Sequence, residues 1–324
     1  MNLFGLGRRR GYDQGQAYGG RRGGGFPMRI VIALVIAGIG IVTYLGRTQI
    51  NPVTGEKQRV AMSVDQEKAL GLQAAPQMAK QMGGVLDPKK DPDARIVAEV
   101  GHKLVNSTEA SKSPYVGNFN FYLLDDPNTI NAFALPGGQI FITRGLFNKL
   151  RDESQLAGVL GHEVGHVIHR HSAEHMAKGQ LGQMLVVATG VGASDEGGRG
   201  QMAAAAAAMA NQMVQLKYGR GDETESDTYG LTLMEQAGYD PTGMLAVMQV
   251  LKEAGGGKKQ PEFMMSHPLP DNRLAEIKQV IARRHPNGVP PKLTRGRDLG
   301  GRSALAGERQ EPVERRDRPA DDRW

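Results

Sequence analysis

Four of the eight histidines in this 324-residue chain lie within ten residues, in the stretch 161-GHEVGHVIHRH-171. His162 and His166 are four residues apart, so on a helix their imidazoles project from the same face and can share one metal ion. Glu163 follows His162 directly and can reach a water molecule beside that metal. The pattern H-E-x-x-H is typical of zinc hydrolases, in which the glutamate takes a proton from the water that attacks a carbonyl group. The sequence therefore predicts His162 and His166 as zinc ligands and Glu163 as a catalytic base.

The composition restricts the other ligands of such a metal. The chain contains no cysteine, which excludes disulfides, thiolate zinc sites and cysteine nucleophiles. Any metal site must therefore use histidine and carboxylate. The formal net charge of +6 is carried by residues 1–27 (+4) and 286–324 (+2), which leaves the middle of the chain neutral. A neutral core argues against a phosphate-binding surface, and we expect no nucleic-acid partner.

A catalytic zinc usually has three protein ligands and one open position, so a further ligand is expected downstream. The stretch 222-DETESDTYGLTLMEQAGYDP-241 reads as a helix with acidic residues in its first turn. Glu223 and Asp227 are four residues apart and face the same way. Ordinary acidity at a helix N-terminus would also explain them, but the upstream H-E-x-x-H favours the other half of a metal site.

The remaining histidines near the motif do not share its spacing. His169, His171 and His175 follow His166 at other intervals. We expect them at the surface or beside the ligands rather than on the metal.

The elements that position these residues follow from the spacing of apolar residues. Helical spacing predicts helices over 63–83 and 93–107, and again over 152–179, which contains the motif. Between them, 119–124 reads as a strand, and 130–145 reads as two strand-like runs joined at a Pro-Gly-Gly turn. The H-E-x-x-H motif is therefore expected inside a helix that follows a small sheet.

Several further motifs occur in a fixed order: Asn131-Ala132-Phe133-Ala134 with Pro136-Gly137-Gly138, then 162-HEVGH-166, then 223-ETESD-227 followed by 237-AGYDP-241, then 266-SHPLPDNRL-274. In this order and approximate spacing they resemble the HtpX and CAAX-protease superfamily of zinc metallopeptidases. The similarity is greatest to the single-anchor, BepA-like periplasmic members and covers roughly residues 60–285.

The resemblance implies an α+β, gluzincin-like fold that is mostly helical, with a small β-sheet beside the H-E-x-x-H helix and one Zn²⁺ per chain. It also implies that Glu223 is the third zinc ligand and that Asp227 supports a ligating histidine. Ser226 stands where many relatives have alanine, a small change that does not threaten the site.

The predicted hairpin suggests a place for the substrate. The strand that carries Asn131, Ala132, Phe133 and Ala134, or the strand from Ile140 to Thr143, could offer an edge on which an extended polypeptide adds as another strand. Such main-chain pairing depends little on the side chains of the substrate, so it suits an enzyme that cuts unfolded proteins. The alternative is that this hairpin only supports the core.

His267 lies in the motif 266-SHPLPDNRL-274, which the resemblance places near the catalytic cleft. Three roles compete for it. The imidazole could donate a hydrogen bond to the oxyanion, occupy the fourth zinc position and hold the resting enzyme inactive, or only cap a loop. The preceding Gly-rich segment 255–261 would let the loop move, which favours the gating role.

A membrane anchor is predicted near the N-terminus. Sixteen uncharged residues, 30-IVIALVIAGIGIVTYL-45, lie between Arg29 and Arg47, so residues 28–46 could span a thin bilayer. A cleaved signal peptide is the alternative, but no small-x-small cleavage site follows. Six arginines precede the segment, which predicts a cytoplasmic N-terminus and a catalytic domain, residues 60–285, outside the cytoplasm.

The remaining segments are expected to lie outside the catalytic core. Residues 1–27, rich in Gly and Arg, and residues 286–324, rich in Arg, Gly, Pro and Glu, are predicted to be disordered. Residues 181–216 contain two interrupted apolar runs, which predict helices that pack over the domain or touch the membrane surface.

These observations predict a zinc endopeptidase held in the inner (cytoplasmic) membrane by a single span, with polypeptide substrates that are unfolded or misfolded envelope proteins. The alternative is a non-proteolytic chaperone or assembly factor on the same zinc-stabilised scaffold. A pure binder would have no use for Glu163 beside the two histidines, and this favours the enzyme.

Overall fold

The computed structural model describes residues 28–60, 62–188, 217–256, 260–268 and 271–300, and within them the fold is α+β and mostly helical. The helices are α1 (Met28–Gly46), α2 (Val64–Gln81), α3 (Pro92–Asn106), α4 (Arg144–Phe147), α5 (Glu153–Ile168), α6 (His171–Ala188), α7 (Arg220–Gln236), α8 (Thr242–Gly255), α9 (Glu262–Ser266) and α10 (Asp271–Arg284). The strands are β1 (Thr48–Ile50), β2 (Lys57–Arg59), β3 (Asn120–Leu124), β4 (Ala132–Leu135) and β5 (Gln139–Thr143).

The strands β3, β5 and β4 form a sheet in that order, beside the helix that carries the H-E-x-x-H motif. β5 pairs in parallel with β3 and antiparallel with β4, with Ala132 opposite Ile142 and Ala134 opposite Ile140. Because β5 is the central strand, Ile140–Thr143 cannot offer a free edge. Of the two edges considered from the sequence, only the one on β4 remains.

Helix α5 lies at the centre of the domain, and all of its residues are buried. The Asp152 side chain caps its N-terminus by accepting from the Gln155 backbone N–H at 3.1 Å. The helix packs against α3, α7, α8 and β4. Since neighbours cover it on every side, its polar residues can only face other elements of the fold.

Glycines allow α5 and α7 to pack with their backbones in contact. A Cβ on Gly165 would lie 2.8 Å from the Cα of Ser226, and a Cβ on Gly161 would lie 3.3 Å from the Cα of Gly230. Both distances are shorter than ordinary carbon contacts. The two helices are therefore closer than any residue larger than glycine would allow at Gly165.

The structure breaks the predicted helix 152–179 at Arg170, which adopts the left-handed conformation with φ of 58°. This conformation costs an arginine about 1–2 kcal/mol. Buried contacts offset that cost, since Arg170 Nε and Nη2 donate to Glu67 Oε1 at 2.9 and 2.6 Å. Tyr115 donates to the other Glu67 oxygen at 2.5 Å. The chain turns here, and α6 starts at His171.

The folded domain begins before residue 60, the predicted start. β1 and β2 form an antiparallel hairpin, and its turn residue Asn51 is buried. Asn51 Nδ2 donates to the Ile168 carbonyl at 2.8 Å, and Gln58 Nε2 donates to the His169 carbonyl at 2.5 Å. The hairpin therefore packs on the C-terminal end of α5.

The domain also extends beyond residue 285, so the prediction of disorder is wrong for residues 286–300. Leu299 is buried in the main core, and Thr294 forms a β-bridge with Tyr239. Arg297 pairs with Glu153 at the start of α5. Val289 also packs against the main core, and the backbone carbonyls of Arg295 and Arg297 accept hydrogen bonds from the start of α5. Isolated contacts of this kind produce no periodic pattern in the sequence.

Helix α1 coincides with the predicted anchor and packs against α6. Arg47, just after it, donates to Gln180 Oε1 at 2.5 Å. Several large apolar side chains of α1 are exposed: Ile32, Leu34, Val35, Ile39, Ile41, Val42 and Leu45. Within the described residues, no helix combines the length and the apolar character that crossing a membrane requires.

Some predictions concern segments that lie outside the described residues. These are the disorder of residues 1–27 and of residues 301–324, and the organisation of residues 189–216. The first part of the stretch 181–216 belongs to α6.

The contact between α5 and α7 yields a prediction for Gly165→Ala. The new methyl group meets backbone atoms at 2.8 Å, so the helices must separate, and the free energy of unfolding should fall by about 1–3 kcal/mol. Chemical denaturation measures it. The control is Gly179→Ala in α6, where a Cβ meets nothing within 4 Å and stability should hold or rise. Equal stability of the two variants would contradict the close packing.

Candidate metal centre

Four buried side chains from α5, α7 and the end of α9 converge: His162, His166, Glu223 and His267. One ligand atom from each lies within 4.8 Å of the others. The Nε2 atoms of His162 and His166 are 3.0 Å apart. Nδ1 of His267 lies 3.2 Å from His162 Nε2 and 3.0 Å from Glu223 Oε1. The structure thus brings together the three side chains predicted to bind the metal and the one predicted to approach it.

This donor set fits a zinc ion. Burial lowers the pKa of His166 well below its ordinary value, so the imidazole is neutral and offers a lone pair. Burial alone would raise the pKa of Glu223, but His267 and Arg273 outweigh burial and hold it well below its usual range. Imidazole nitrogen and carboxylate oxygen are zinc ligands, and four donors match its tetrahedral preference.

His162 is oriented by a carboxylate behind it. Its Nδ1 donates to Asp227 Oδ1 at 2.9 Å, which leaves Nε2 to face the centre. Such a carboxylate fixes the tautomer and the ring orientation of a ligating histidine. Asp227 and Glu223 lie one turn apart on α7, so a single helix face presents both carboxylates.

Arg273 on α10 is a buried residue of the site for which the sequence analysis predicted no role. Its Nε and Nη2 donate to Asp227 Oδ2 and Oδ1 at 2.6 and 2.8 Å, and its Nη1 pairs with Glu223. One guanidinium thus holds both carboxylates of α7. Its only sequence signal was its place in the motif 266-SHPLPDNRL-274, because spacing alone does not identify partners 46 and 50 residues away.

A second histidine orients His166. His171 Nδ1 lies 2.9 Å from His166 Nδ1, and His171 Nε2 lies 3.1 Å from Glu225 Oε2. If His166 faces the metal through Nε2, its Nδ1–H donates to His171, which in turn donates to Glu225. His171 therefore lies beside the predicted ligand His166, whereas His175 pairs with Asp222.

Glu163 is 1% exposed and lies next to the converged ligands. Its Oε1 has no hydrogen-bond partner among the described residues and is 3.7 Å from His267 Nε2. Burial raises the pKa of this carboxyl above its ordinary value, against the opposing charge of His267. A carboxyl with a raised pKa is suited to exchange protons near neutral pH.

Two aromatic rings hold His267. Phe263 stacks on its imidazole with ring centroids 4.5 Å apart, and Tyr218 packs against it at 5.1 Å. Burial opposes protonation of His267, but the carboxylates of Glu223 and Glu163 outweigh burial and raise its pKa. Tyr218 also packs on His166 with ring centroids 4.1 Å apart. No sequence motif indicated that Tyr218 would lie between these two histidines.

Two clefts border the centre. Ala134, at the end of β4, lines a small cavity together with His166. Of the other residues predicted to contact substrate, Ala132 faces the main core and Phe133 packs in a separate apolar cluster with Phe141, while Asn131 is buried. Their contribution to an extended ligand would therefore come from the main chain. A second cleft of about 240 Å³ lies beside Tyr218, Glu223 and Arg273.

The double contact of Arg273 yields a prediction for Arg273→Gln. Two buried carboxylates lose their charge partner, and zinc affinity should fall about 10–100-fold, as for other residues that orient metal ligands. Competition with a chromophoric chelator measures the affinity. Arg284→Gln on the same helix, which removes a partly exposed ion pair with Glu235, is the control and should keep zinc affinity. Equal affinities of the two variants would contradict the role of Arg273.

The comparisons with known proteins agree with this geometry. Residues 92–281 match the model of Peptidase family M48. The chain is 31% identical over 254 residues to the beta-barrel assembly-enhancing protease of Yersinia pestis, covering 75% of this chain and 48% of the relative. It is 28% identical over 272 residues to the protein of that name from Escherichia coli K12, covering 79% and 54%.

A mitochondrial relative is also similar. The chain is 28% identical over 252 residues to the mitochondrial metalloendopeptidase OMA1 of Schizosaccharomyces pombe, covering 78% of this chain and 71% of the relative. The chain spans about half the length of the beta-barrel assembly-enhancing relatives. The match of the family model and the convergence of two histidines and a glutamate next to Glu163 lead to one conclusion: the chain belongs to peptidase family M48, the zinc-dependent metallopeptidases.

Proposed function

We propose that this chain is a zinc-dependent endopeptidase that cuts unfolded or misfolded polypeptides outside the cytoplasm. The observation that carries the proposal is the position of Glu163. Oε1 of this buried carboxyl lies 3.7 Å from His267 Nε2, beside the predicted ligands, yet it has no hydrogen-bond partner among the described residues. A purely structural metal site has no need for such a group, whereas hydrolysis needs a base at this place.

Each residue of the centre has a role in the proposed reaction. His162, His166 and Glu223 would hold a zinc ion, which would supply Lewis acidity for the polarisation of a peptide carbonyl. Glu163 accepts a proton from the attacking water and returns it to the leaving amine. Asp227 supports this work by fixing the ring of His162, as its 2.9 Å contact indicates.

We assign His267 to the gating role among the three roles considered from the sequence. Its Nδ1 lies within 3.2 Å of atoms of His162 and Glu223, among the ligand atoms themselves. A catalytic zinc keeps one coordination position open for water or substrate. His267 in that position would hold the resting enzyme inactive, and it would have to move away before a substrate could bind.

The proposed substrates follow from the edge strand and from the relatives. Among the described residues β4 pairs only with β5, and its last part shares a cavity with His166. An extended polypeptide can add to such an edge by main-chain hydrogen bonds, with little dependence on side chains. The relatives from Yersinia pestis and Escherichia coli K12 are named beta-barrel assembly-enhancing protease. This name supports the proposal that the substrates are envelope proteins that have failed to assemble.

We also propose that residues 28–46 hold the enzyme at the inner membrane, with the N-terminus in the cytoplasm. The exposed apolar side chains of α1 support contact with lipid, and the six arginines before residue 30 support the orientation. Carbonate extraction tests the attachment. The full chain should stay with the membranes and a chain without residues 1–47 should be released, whereas release of both would contradict the proposal.

The base role of Glu163 yields a prediction for Glu163→Gln. Hydrolysis of casein by the full-length chain should fall about 10²-fold or more, while the amount of bound zinc stays at that of the unchanged chain. Metal analysis beside the digestion assay measures both. Glu174→Gln on α6, which removes a partly buried carboxylate away from the centre, is the control and should keep full activity. Full activity of Glu163→Gln would end the proposed mechanism, and inactivity of the zinc-loaded parent would favour the non-proteolytic assembly factor.

The gating role yields a prediction for His267→Ala. Removing a blocking imidazole should raise basal casein hydrolysis and promote self-cleavage, whereas removing an oxyanion donor should lower hydrolysis about 10²-fold or more. Time courses of casein digestion and of the intact chain distinguish the two. Met265→Ala, which changes an exposed side chain of the same short helix, is the control. Unchanged activity and unchanged self-cleavage in His267→Ala would leave His267 with a structural role.

A further inference from the structure

A second cluster of ligand-type side chains lies outside the metal centre, where α5 ends and α6 begins. It consists of His169, His171 and Glu225, whose ligand atoms all lie within 4.8 Å of one another. The proposed reaction uses neither His169 nor Glu225 as a ligand. We propose that this cluster, the outer site, binds a second divalent cation of the zinc type, and that this cation inhibits the enzyme.

The distances suit a metal ion of this size. Glu225 Oε2 lies 3.1 Å from His171 Nε2 and 3.5 Å from His169 Nδ1. Zinc binds such atoms at about 2.0–2.2 Å, so two ligands of a tetrahedral ion are roughly 3.3 Å apart. Glu56 Oε2, 3.8 Å from His169 Nδ1, is close enough to supply a fourth oxygen after a small rotation. Two imidazoles with carboxylate favour zinc and its neighbours over magnesium or calcium.

His169 provides independent support for the outer site. Its side chain is nine-tenths buried, and its Nδ1 has no hydrogen-bond partner among the described residues. A buried polar atom without a partner costs about 1–3 kcal/mol, which a metal bond would remove. Burial and the neighbouring His171 lower the pKa of His169 to about 4, so at neutral pH the imidazole is uncharged and its lone pair is available.

The outer site is also open to solvent on one side. The side chains of Glu225 and Glu56 are 45% and 54% exposed, while the two imidazoles are buried. A cation can therefore enter from the carboxylate side without unfolding any element. The ligands come from the β1–β2 hairpin, the α5–α6 junction and α7, so a bound ion would link three segments of the fold.

The outer site is coupled to the inner one through His171. With His166 facing the inner metal through Nε2, its Nδ1–H donates to His171 Nδ1 at 2.9 Å, and the proton of His171 is on Nε2. A neutral His171 that binds a metal through Nε2 carries its proton on Nδ1 instead. Exchange with solvent removes the proton from Nε2 of His171 and returns one to Nδ1, so no other reactant is needed. Two N–H groups then face each other, and His166 loses the acceptor that orients it.

Occupation of the outer site should therefore weaken the orientation of His166 and slow hydrolysis. This consequence for activity rests on the proposed function, but binding of the second cation does not. Binding of the second cation is tested by counting metal ions in a chain that cannot hydrolyse peptides. Inhibition by that cation is tested separately in a chain that can.

The first experiment counts zinc in the full-length Glu163→Gln chain, which avoids self-digestion. After equilibrium dialysis against buffered free zinc, we expect two ions per chain at saturation, and one ion per chain when His169→Gln is added. The control is the addition of His175→Gln, which removes a nearby histidine paired with Asp222 and should leave two. The proposal would be overturned if the Glu163→Gln chain bound only one ion, or if the Glu163→Gln, His169→Gln chain still bound two.

The second experiment measures casein hydrolysis by chains that retain Glu163, with one zinc per chain and then with excess zinc. The rate at one zinc per chain should be about ten times the rate with excess zinc in the parent chain and in His175→Gln. In His169→Gln the two rates should be nearly equal. Equal ratios in all three chains would overturn the inhibitory role. Absence of hydrolysis at one zinc per chain would contradict the proposed function instead and leave the metal count as the test of the outer site.

Discussion

The metal centre depends on the direct contact between the backbones of α5 and α7. His162 and His166 lie on the first helix and Glu223 on the second, and atoms of these side chains approach within 3.4–3.7 Å across the contact. The helices lie close enough for these contacts because Gly165 has no Cβ, which would lie 2.8 Å from the Cα of Ser226. The burial of α5 on all sides then fixes the orientation of this helix, so that His162 and His166 face Glu223 on α7. Packing, rather than any property of the histidines themselves, brings the predicted metal ligands together.

That packing buries several charges, and Arg273 makes this burial possible. Isolated carboxylates in a core are strongly unfavourable, and Glu223 and Asp227 are both 3% exposed. Arg273 compensates one of these two negative charges, and a zinc ion would compensate the charge that remains at the centre. The metal, when bound, therefore contributes to the stability of the centre as well as to its chemistry, and folding and zinc affinity are linked.

The sequence was most informative where function imposes a local spacing. The four-residue interval of His162 and His166 predicted their common face because a helix turn is a local property. The break at Arg170 could not be foreseen, because the buried pair with Glu67 that stabilises it is 103 residues away. Arg273 is comparable, since its charge partners are known only after the fold is known. The order of residues 286–300 depends on single contacts such as that of Leu299, which leave no periodic pattern.

The break at Arg170 also explains how a histidine five residues after His166 can touch it. On a continuous helix such residues point about 140° apart around the axis and cannot meet. The left-handed turn at Arg170 places His171 Nδ1 at 2.9 Å from His166 Nδ1 instead. Backbone strain persists only where surrounding contacts determine it, and the pair of Arg170 with Glu67 supplies them. The ion pair between Arg170 and Glu67, neither of which is a predicted ligand, therefore maintains the orientation of His166.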